Sequence, residues 1–251
     1  MRPCAWRWTW EIPHTRPRTF IWPLPDGTGC LIFLPYKEAP MRILLIRHGR
    51  QNSPLCNVDV PLSEAGRAQA ALLGERLKHE GIDAVWSSGL CRAVETADRI
   101  NEALKVKRVI REDLKEISFG DLEGLADPVI AERFGSFLSQ RKKMEQDLPY
   151  PGGESAADVV KRVLPVMDEI LASGGRTVAV VTHGGVIRSM TAHYLGMELS
   201  KTQLLASHLE NCGITEFWFR EDGTAVLNRF NDYSHLEGKK DLLRSGWSEK
   251  R

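Results

Sequence analysis

What the chain lacks narrows its identity quickly. Its longest apolar runs are four or five residues, far short of the roughly 20 that a membrane-spanning helix needs. A transmembrane helix is therefore excluded. An excess of one charge is also missing: 34 Lys+Arg face 33 Asp+Glu, a formal net charge of +1. That balance leaves no electrostatic footprint for nucleic acid or an anionic membrane. Cysteine is sparse. Cys4, Cys30, Cys56, Cys91 and Cys212 are odd in number, widely spaced and without a CxxC pair. This argues against a disulfide framework and a structural zinc site, and for free thiols in a reducing cytoplasm. No HxxxH or HxH pair is present to start a catalytic zinc site. The basic start is not followed by the apolar stretch of a secretory signal. What remains, 251 residues with 42% apolar and 27% charged side chains, is an ordinary globular composition with ample material for a core.

Composition shifts near residue 40. The first 40 residues hold seven of the thirteen prolines and four of the seven tryptophans, with no helical or strand period. Residues 1–40 are expected to be a poorly ordered extension, or leader translated ahead of a true start at Met41. The competing expectation is an arm that packs its tryptophans onto the domain. The folded domain is placed at 41–240, with a short tail at 241–251.

From Met41 the chain alternates strand and helix. Ile43 to Ile46 and Val178 to Val181 are all-apolar runs, as strands covered on both faces require. Ala84 to Trp86 and Val106 to Ile110 read as two further strands. Ser63 is an N-cap for a helix reaching about His79, with Gly81 beyond its end. A second helix covers Cys91 to Leu104, with Ala93, Ala97, Ile100 and Leu104 on one face. Residues 126–148 look helical, irregular and charged. A helix after the break YPGGES (150–155) carries Val159, Val163, Val166 and Ile170, with Pro165 expected to kink it. Thr215 to Phe230 reads as a hairpin around Asp222–Gly223. Such alternation implies a three-layer α/β sandwich, a mostly parallel central sheet with helices on both faces.

Open α/β sheets bind ligands beyond the carboxyl ends of their strands. The first strand there delivers Arg47-His48-Gly49, and the late strand Thr182-His183-Gly184-Gly185. Another ends in Ser87-Ser88 with Arg92 in the next helical turn, and the third leads to Glu116. Two His, two Arg and one Glu at one rim suit phosphoryl transfer. An Arg fork pairs two phosphate oxygens at once. A helix N-terminus adds backbone N–H groups and a positive dipole end. Glycine lets the backbone approach closely, a neutral imidazole can attack phosphorus, and a carboxyl can protonate the leaving alkoxide. Each residue alone has a blander reading, as a surface arginine, a structural histidine or a turn glycine; their coincidence carries the inference.

The chain resembles the histidine phosphatase superfamily, the phosphoglycerate mutase-like clan with the RHG signature, over about residues 41–236. The likeness rests on LLIRHG (44–49), PLSEAGRAQA (61–70), SSGLCRAVETA (87–97), LKEISFGDLEG (114–124), PGGES (151–155), VVTHGG (180–185) and LENCGIT (209–215). The resemblance implies a phosphoglycerate mutase-like fold and His48 as the phosphorylated nucleophile. It further implies that Arg47, Arg92 and His183 hold the phosphoryl group and that Glu116 donates the proton. Gly49 and Gly184 would allow close backbone approach, and no metal or organic cofactor would be needed.

The chain also departs from the family pattern. Gln51 stands where the family often has Ser or Thr, and the usual Trp-Asn pair is absent, so Gln51, Asn52 or Asn57 is expected to complete the phosphate pocket. The Gly-Trp of the cofactor-dependent mutases is missing, which favours water as acceptor. The expected function is hydrolysis of a small phosphorylated metabolite. A phosphoglycerate mutase-type isomerase, an α-ribazole phosphatase and a catalytically weak phospho-ligand binding module stay open as alternatives. Substrate choice is assigned to the walls: the insert 126–148 with Arg133, Arg141, Lys142 and Lys143, the segment Gln203 to Asn211, and His208 and His235. No nucleic-acid or membrane partner is expected, and a homodimer is compatible with the sequence.

Overall fold

The computed structural model describes the backbone of residues 18–23, 29–34 and 40–244 and the side chains of residues 40–244. The chain divides into two compact units, Met1–Pro40 and Met41–Arg251. In the first, β1 (Arg18–Pro23) pairs antiparallel with β2 (Gly29–Leu34), Arg18 opposite Leu34 and Pro23 opposite Gly29. The sequence shows no period here because neither strand alternates apolar with polar residues. The remainder of the expected extension, with Trp6, Trp8 and Trp10, lies outside the described residues, as does the tail beyond Arg244.

The second unit holds a six-stranded sheet in the order β5-β4-β6-β3-β7-β8. Its strands are β3 (Met41–Arg47), β4 (Ala84–Ser87), β5 (Lys107–Ile110), β6 (Thr177–Thr182), β7 (Ile214–Phe219) and β8 (Ala225–Asp232). The first four run parallel, and β7 and β8 are the antiparallel edge. The helices are α1 (Glu64–Leu77), α2 (Cys91–Leu104), α3 (Asp127–Lys142), α4 (Ala156–Leu171) and α5 (Gly184–Tyr194).

Ile43 to Ile46 are fully buried because both sheet faces are covered. Leu44 and Ile46 pack with Leu73 and Leu77 of α1 and Ala97 and Ile100 of α2. Ile43 and Leu45 face the other way, toward Val163 and Met167 of α4 and Met190 of α5. At about 1.5–3 kcal/mol per buried aliphatic side chain, this double coverage fixes the strand's register.

The caps follow from local sequence. Ser63 Oγ accepts from Gly66 N at 3.1 Å, and Ser155 with Asp158 forms a reciprocal capping box. Helix α4 continues through Pro165. Gly81 takes the left-handed conformation, φ 68°, past the end of α1.

Register positions the site. Arg47 lies opposite Thr182 in the parallel pair β3–β6, and Ser87 lies opposite Val181 in β4–β6. The residues that follow these strands, His48, His183 and Ser88, therefore emerge side by side at one rim.

Candidate active site

The rim gathers two imidazoles and a guanidinium in a nearly water-free floor: His48 is 4% exposed, Arg92 1% and His183 0%. The His48 and His183 ring centres lie 5.0 Å apart. His48 Nδ1 is 2.7 Å from the Gly49 carbonyl. A carbonyl oxygen only accepts, so Nδ1 carries the proton and Nε2 keeps its lone pair. Arg92 Nε donates to that Nε2 at 3.3 Å. The loop is clamped from behind: Asn211 Nδ2 donates to the His48 carbonyl at 2.7 Å, and Gly49 N donates to Thr96 Oγ1 at 2.9 Å.

His183 Nε2 sits 2.7 Å from Ser88 Oγ, while its Nδ1 is buried without a hydrogen-bond partner. Arg47 has the same character. One terminal nitrogen donates to the Leu209 carbonyl, and its buried Nε finds no partner. Unsatisfied buried donors are costly unless a ligand meets them. An unpartnered guanidinium donor and an unpartnered imidazole nitrogen beside a cluster of guanidiniums describe a seat for an anion.

The electrostatics favour neutral rings. Burial, then the charges of Arg92 and Arg47, hold His48 well below the usual histidine range. Burial, then neighbouring His48, Arg92 and Arg47, does the same for His183. Burial also lowers Arg47 to about 10, with Arg244 and Arg188 adding repulsion. The thiols are pushed the other way. Desolvation raises Cys56 to about 11 and raises Cys212, and desolvation with the Asp59 charge raises the exposed Cys91, so none of these three described thiols is poised as a thiolate.

Glu116 stands at the edge of this floor. Its Oε1 accepts from the amides of Ile117 and Gly185, each at 2.9 Å, and its Oε2 has no hydrogen bond. Its own carbonyl is held by Arg162, which also grips Glu154 of the PGGES segment at 2.7 Å. Arg162 and Glu154 of the PGGES segment thus brace the loop that carries Glu116.

Two cavities open over the rim and share Arg47, Glu116, Phe119 and Arg244. One, of about 420 Å³, contains His48, Gln51, Asn57 and Arg92. The other, of about 450 Å³, extends past Glu116 to Tyr150, Arg188 and His208.

The structure thus brings Arg47, His48, Arg92 and Glu116 around one cavity, with Gly184 lining the other and His183 buried behind His48 and lining neither. Gln51 and Asn57 border the first cavity, but their donors are spent internally. Gln51 Nε2 donates to the Ser53 and Leu55 carbonyls. Asn57 accepts from Arg92 at 2.7 Å and donates to Glu123 at 3.0 Å. Gly49 is small for a local reason: a Cβ there would meet the Gly66 carbonyl oxygen at 2.7 Å. A Cβ on Gly184 would instead lie 3.8 Å from Arg47 Nε and 3.9 Å from Glu116 Oε2.

Of the wall candidates, Arg141, Gln203 and His208 line the second cavity. Arg133, Lys142, Lys143 and His235 line neither. Arg188 and Arg244 do line it, and sequence reasoning passed over both. Arg188 lies four residues after Gly184 in α5, one helical turn, a spacing that would have pointed it to the rim. Nothing in the local sequence marks Arg244. Among the described residues no group of three His, Cys, Asp or Glu side chains is placed to hold a metal ion, and no helix is long and apolar enough to cross a membrane.

Fold and floor together define an α/β enzyme that acts on phosphoryl groups, and comparison with known proteins agrees. A family model for the histidine phosphatase superfamily (branch 1) matches residues 43–232. A probable phosphatase of Schizosaccharomyces pombe is 32% identical over 212 residues, covering 79% of this chain and 97% of that one. A 2,3-bisphosphoglycerate-dependent phosphoglycerate mutase of a Methylobacterium species is 38% identical over 161 residues, covering 59% of this chain and 77% of that one. The native structure of a mycobacterial glucosyl-3-phosphoglycerate phosphatase superposes with a TM-score of 0.68 at 29% identity, covering 76% of this chain and 98% of that one. The chain belongs to the histidine phosphatase superfamily, branch 1, with the phosphoglycerate mutase-like fold, and is an enzyme of the phosphatase type.

Proposed function

We propose that the protein hydrolyses a small phosphorylated metabolite in two steps through a phosphohistidine at His48. The observation that carries this reading is the tautomer of His48, a buried neutral ring whose Nε2 lone pair points at Arg92. In the first step His48 Nε2 attacks phosphorus and forms a P–N bond. The bond to the leaving oxygen breaks, and Glu116, where the two cavities meet, gives that oxygen its proton. In the second step water attacks phosphorus, Glu116 takes a proton from it, the P–N bond breaks, and phosphate leaves.

Arg47, Arg92 and His183 stabilise the charge on the equatorial oxygens, with the α5 N-terminus at Gly184 beside them. The phosphatase relatives and the lack of a Gly-Trp loop support water as acceptor. The odd, widely spaced cysteines without a CxxC pair support a reducing cytoplasmic setting.

His48→Ala is expected to abolish turnover of p-nitrophenyl phosphate while the variant keeps its cooperative unfolding. Rapid quench of the wild type with labelled substrate is expected to trap an acid-labile adduct at position 48. Full activity in the variant refutes the mechanism. The mutase relative supports one second reading, transfer of phosphate within a phosphoglycerate; a coupled assay with 3-phosphoglycerate separates isomer from free phosphate.

A further inference from the structure

The serine pair that ends β4 has no part in the steps above, and its two hydroxyls meet different partners. Ser87 Oγ accepts from Arg108 Nη2 at 3.4 Å. Ser88 Oγ lies 2.7 Å from Nε2 of His183. Sheet register brings the second pair together. Ser87 lies opposite Val181, and Ser88 N donates to the Val181 carbonyl at 3.2 Å. The residues that follow β4 and β6 therefore run side by side. Ser88 and His183 are both 0% exposed, so water competes for neither.

Counting protons gives this contact a direction. Burial, then His48, Arg92 and Arg47, keep His183 neutral, so its ring carries one N–H. Suppose Nε2 held that proton and donated to Ser88 Oγ. The hydroxyl proton would then lack an acceptor, because Nε2 is the one hydrogen-bond partner of that hydroxyl among the described residues. Nδ1 would be an unpartnered lone pair as well. If Ser88 donates to Nε2 instead, the ring proton sits on Nδ1 and a single group is left unmet. Unmet buried polar groups are costly, so the second arrangement wins. The group it leaves over is also the useful one. The His183 ring centre is 5.0 Å from that of His48, and a phosphoryl oxygen accepts from an N–H but not from a lone pair.

We propose that Ser88 is a positioning residue: its hydroxyl donates to His183 Nε2 and thereby fixes the ring proton on Nδ1, where it serves the phosphoryl oxygens. What the proton serves rests on the phosphohydrolase reading above. Where it sits rests on the Ser88–His183 contact, and so belongs to the resting protein before any substrate arrives.

Long-range 1H–15N correlation on the full chain, labelled at histidine and free of ligand, reads the ring directly, with the His183→Gln spectrum assigning it. Protonated and bare ring nitrogens resonate far apart. In the wild type His183 is expected to show a protonated Nδ1 and a bare Nε2, and the reverse pattern overturns the proposal. Ser88→Ala is expected to move the proton toward Nε2. It is also expected to weaken inhibition by orthovanadate, a phosphate-like oxyanion, by about tenfold or more, as loss of one charged hydrogen bond implies. An unchanged tautomer in Ser88→Ala, or unchanged vanadate inhibition, overturns the role of Ser88. Trapping at His48 is scored separately: a missing adduct with Nδ1 protonated sinks the phosphohistidine reading and leaves the tautomer assignment standing.

Discussion

His235 provides a sharp test of how the fold handles buried imidazoles. It lies just after β8, its ring is buried, and neither nitrogen has a hydrogen-bond partner. Burial lowers its pKa from 6.5 to about 4, against a weaker pull from Asp232 and with Arg76 reinforcing the shift. The unfolded chain takes up a proton there as pH drops through 6.5, whereas the folded chain does not until about 4. Stability is therefore fully present above 6.5 and is lost progressively down to about 4. Linkage puts the loss from this one ring between pH 7 and pH 5 at about 2 kcal/mol.

His235→Leu removes the titration and seats an apolar side chain where no hydrogen bond is broken. Urea unfolding measured every half unit from pH 7.5 to pH 5 should show a flatter pH dependence in the variant. The gap between the two proteins should change by about 2 kcal/mol across the range. Parallel curves would refute the claim that this ring stays neutral in the folded protein. His48 and His183 remain in the variant and keep part of the acid sensitivity, since both are also held neutral by burial.

Four further outcomes follow from the site. The acid limb of kcat for p-nitrophenyl phosphate should fall below pH 6.5, because His48 must lose its proton to attack and its surroundings keep it deprotonated; a limb centred above 6.5 contradicts this. Glu116→Gln should lower kcat by about 10²–10⁴ for an alkyl phosphate and by much less for p-nitrophenyl phosphate, whose leaving group departs without a proton; equal losses would remove Glu116 as the acid. Gly66→Ala, a change that normally favours a helix, should destabilise the fold by about 1–3 kcal/mol, because its Cβ would meet the Arg50 carbonyl oxygen at 2.2 Å; an unchanged urea midpoint counts against that contact. His48→Ala, described above, should lose turnover and keep its fold by circular dichroism.

The strand ends were legible in sequence because burial on both faces writes an uninterrupted apolar run, and the residue that ends the run is thrust out at the rim. Arg47, His48 and His183 could be placed in this way before any coordinates. Arg92 could be placed from the clean helical period of Cys91–Leu104. Partners fixed by long-range packing could not be read: Asn211 holding the His48 carbonyl, Ser88 against His183, and Arg244 reaching the cavity from the far end of the chain. The loop after Gly49 misled for a related reason. Gln51 and Asn57 are the right type to bind phosphate, but whether an amide donates outward or into its own loop depends on carbonyls that only the folded loop brings within 3 Å. His235 is a wall candidate in the sequence, but tertiary packing buries its ring nitrogens away from both cavities.

The clamp of Asn211 on the His48 carbonyl joins residues 163 positions apart, and the Ser88–His183 contact spans 95. At roughly 5–20 residues per second of synthesis, some 10–30 s separate the emergence of His48 from that of its brace. For most of that interval, until β6 is made, the nascent β3 has neither of its sheet neighbours, and its four-residue aliphatic run is an unpaired apolar edge. The topology that makes a rigid floor also leaves apolar surface exposed on the growing polypeptide until its late strands are made, and a product ending before β6 would carry His48 without His183.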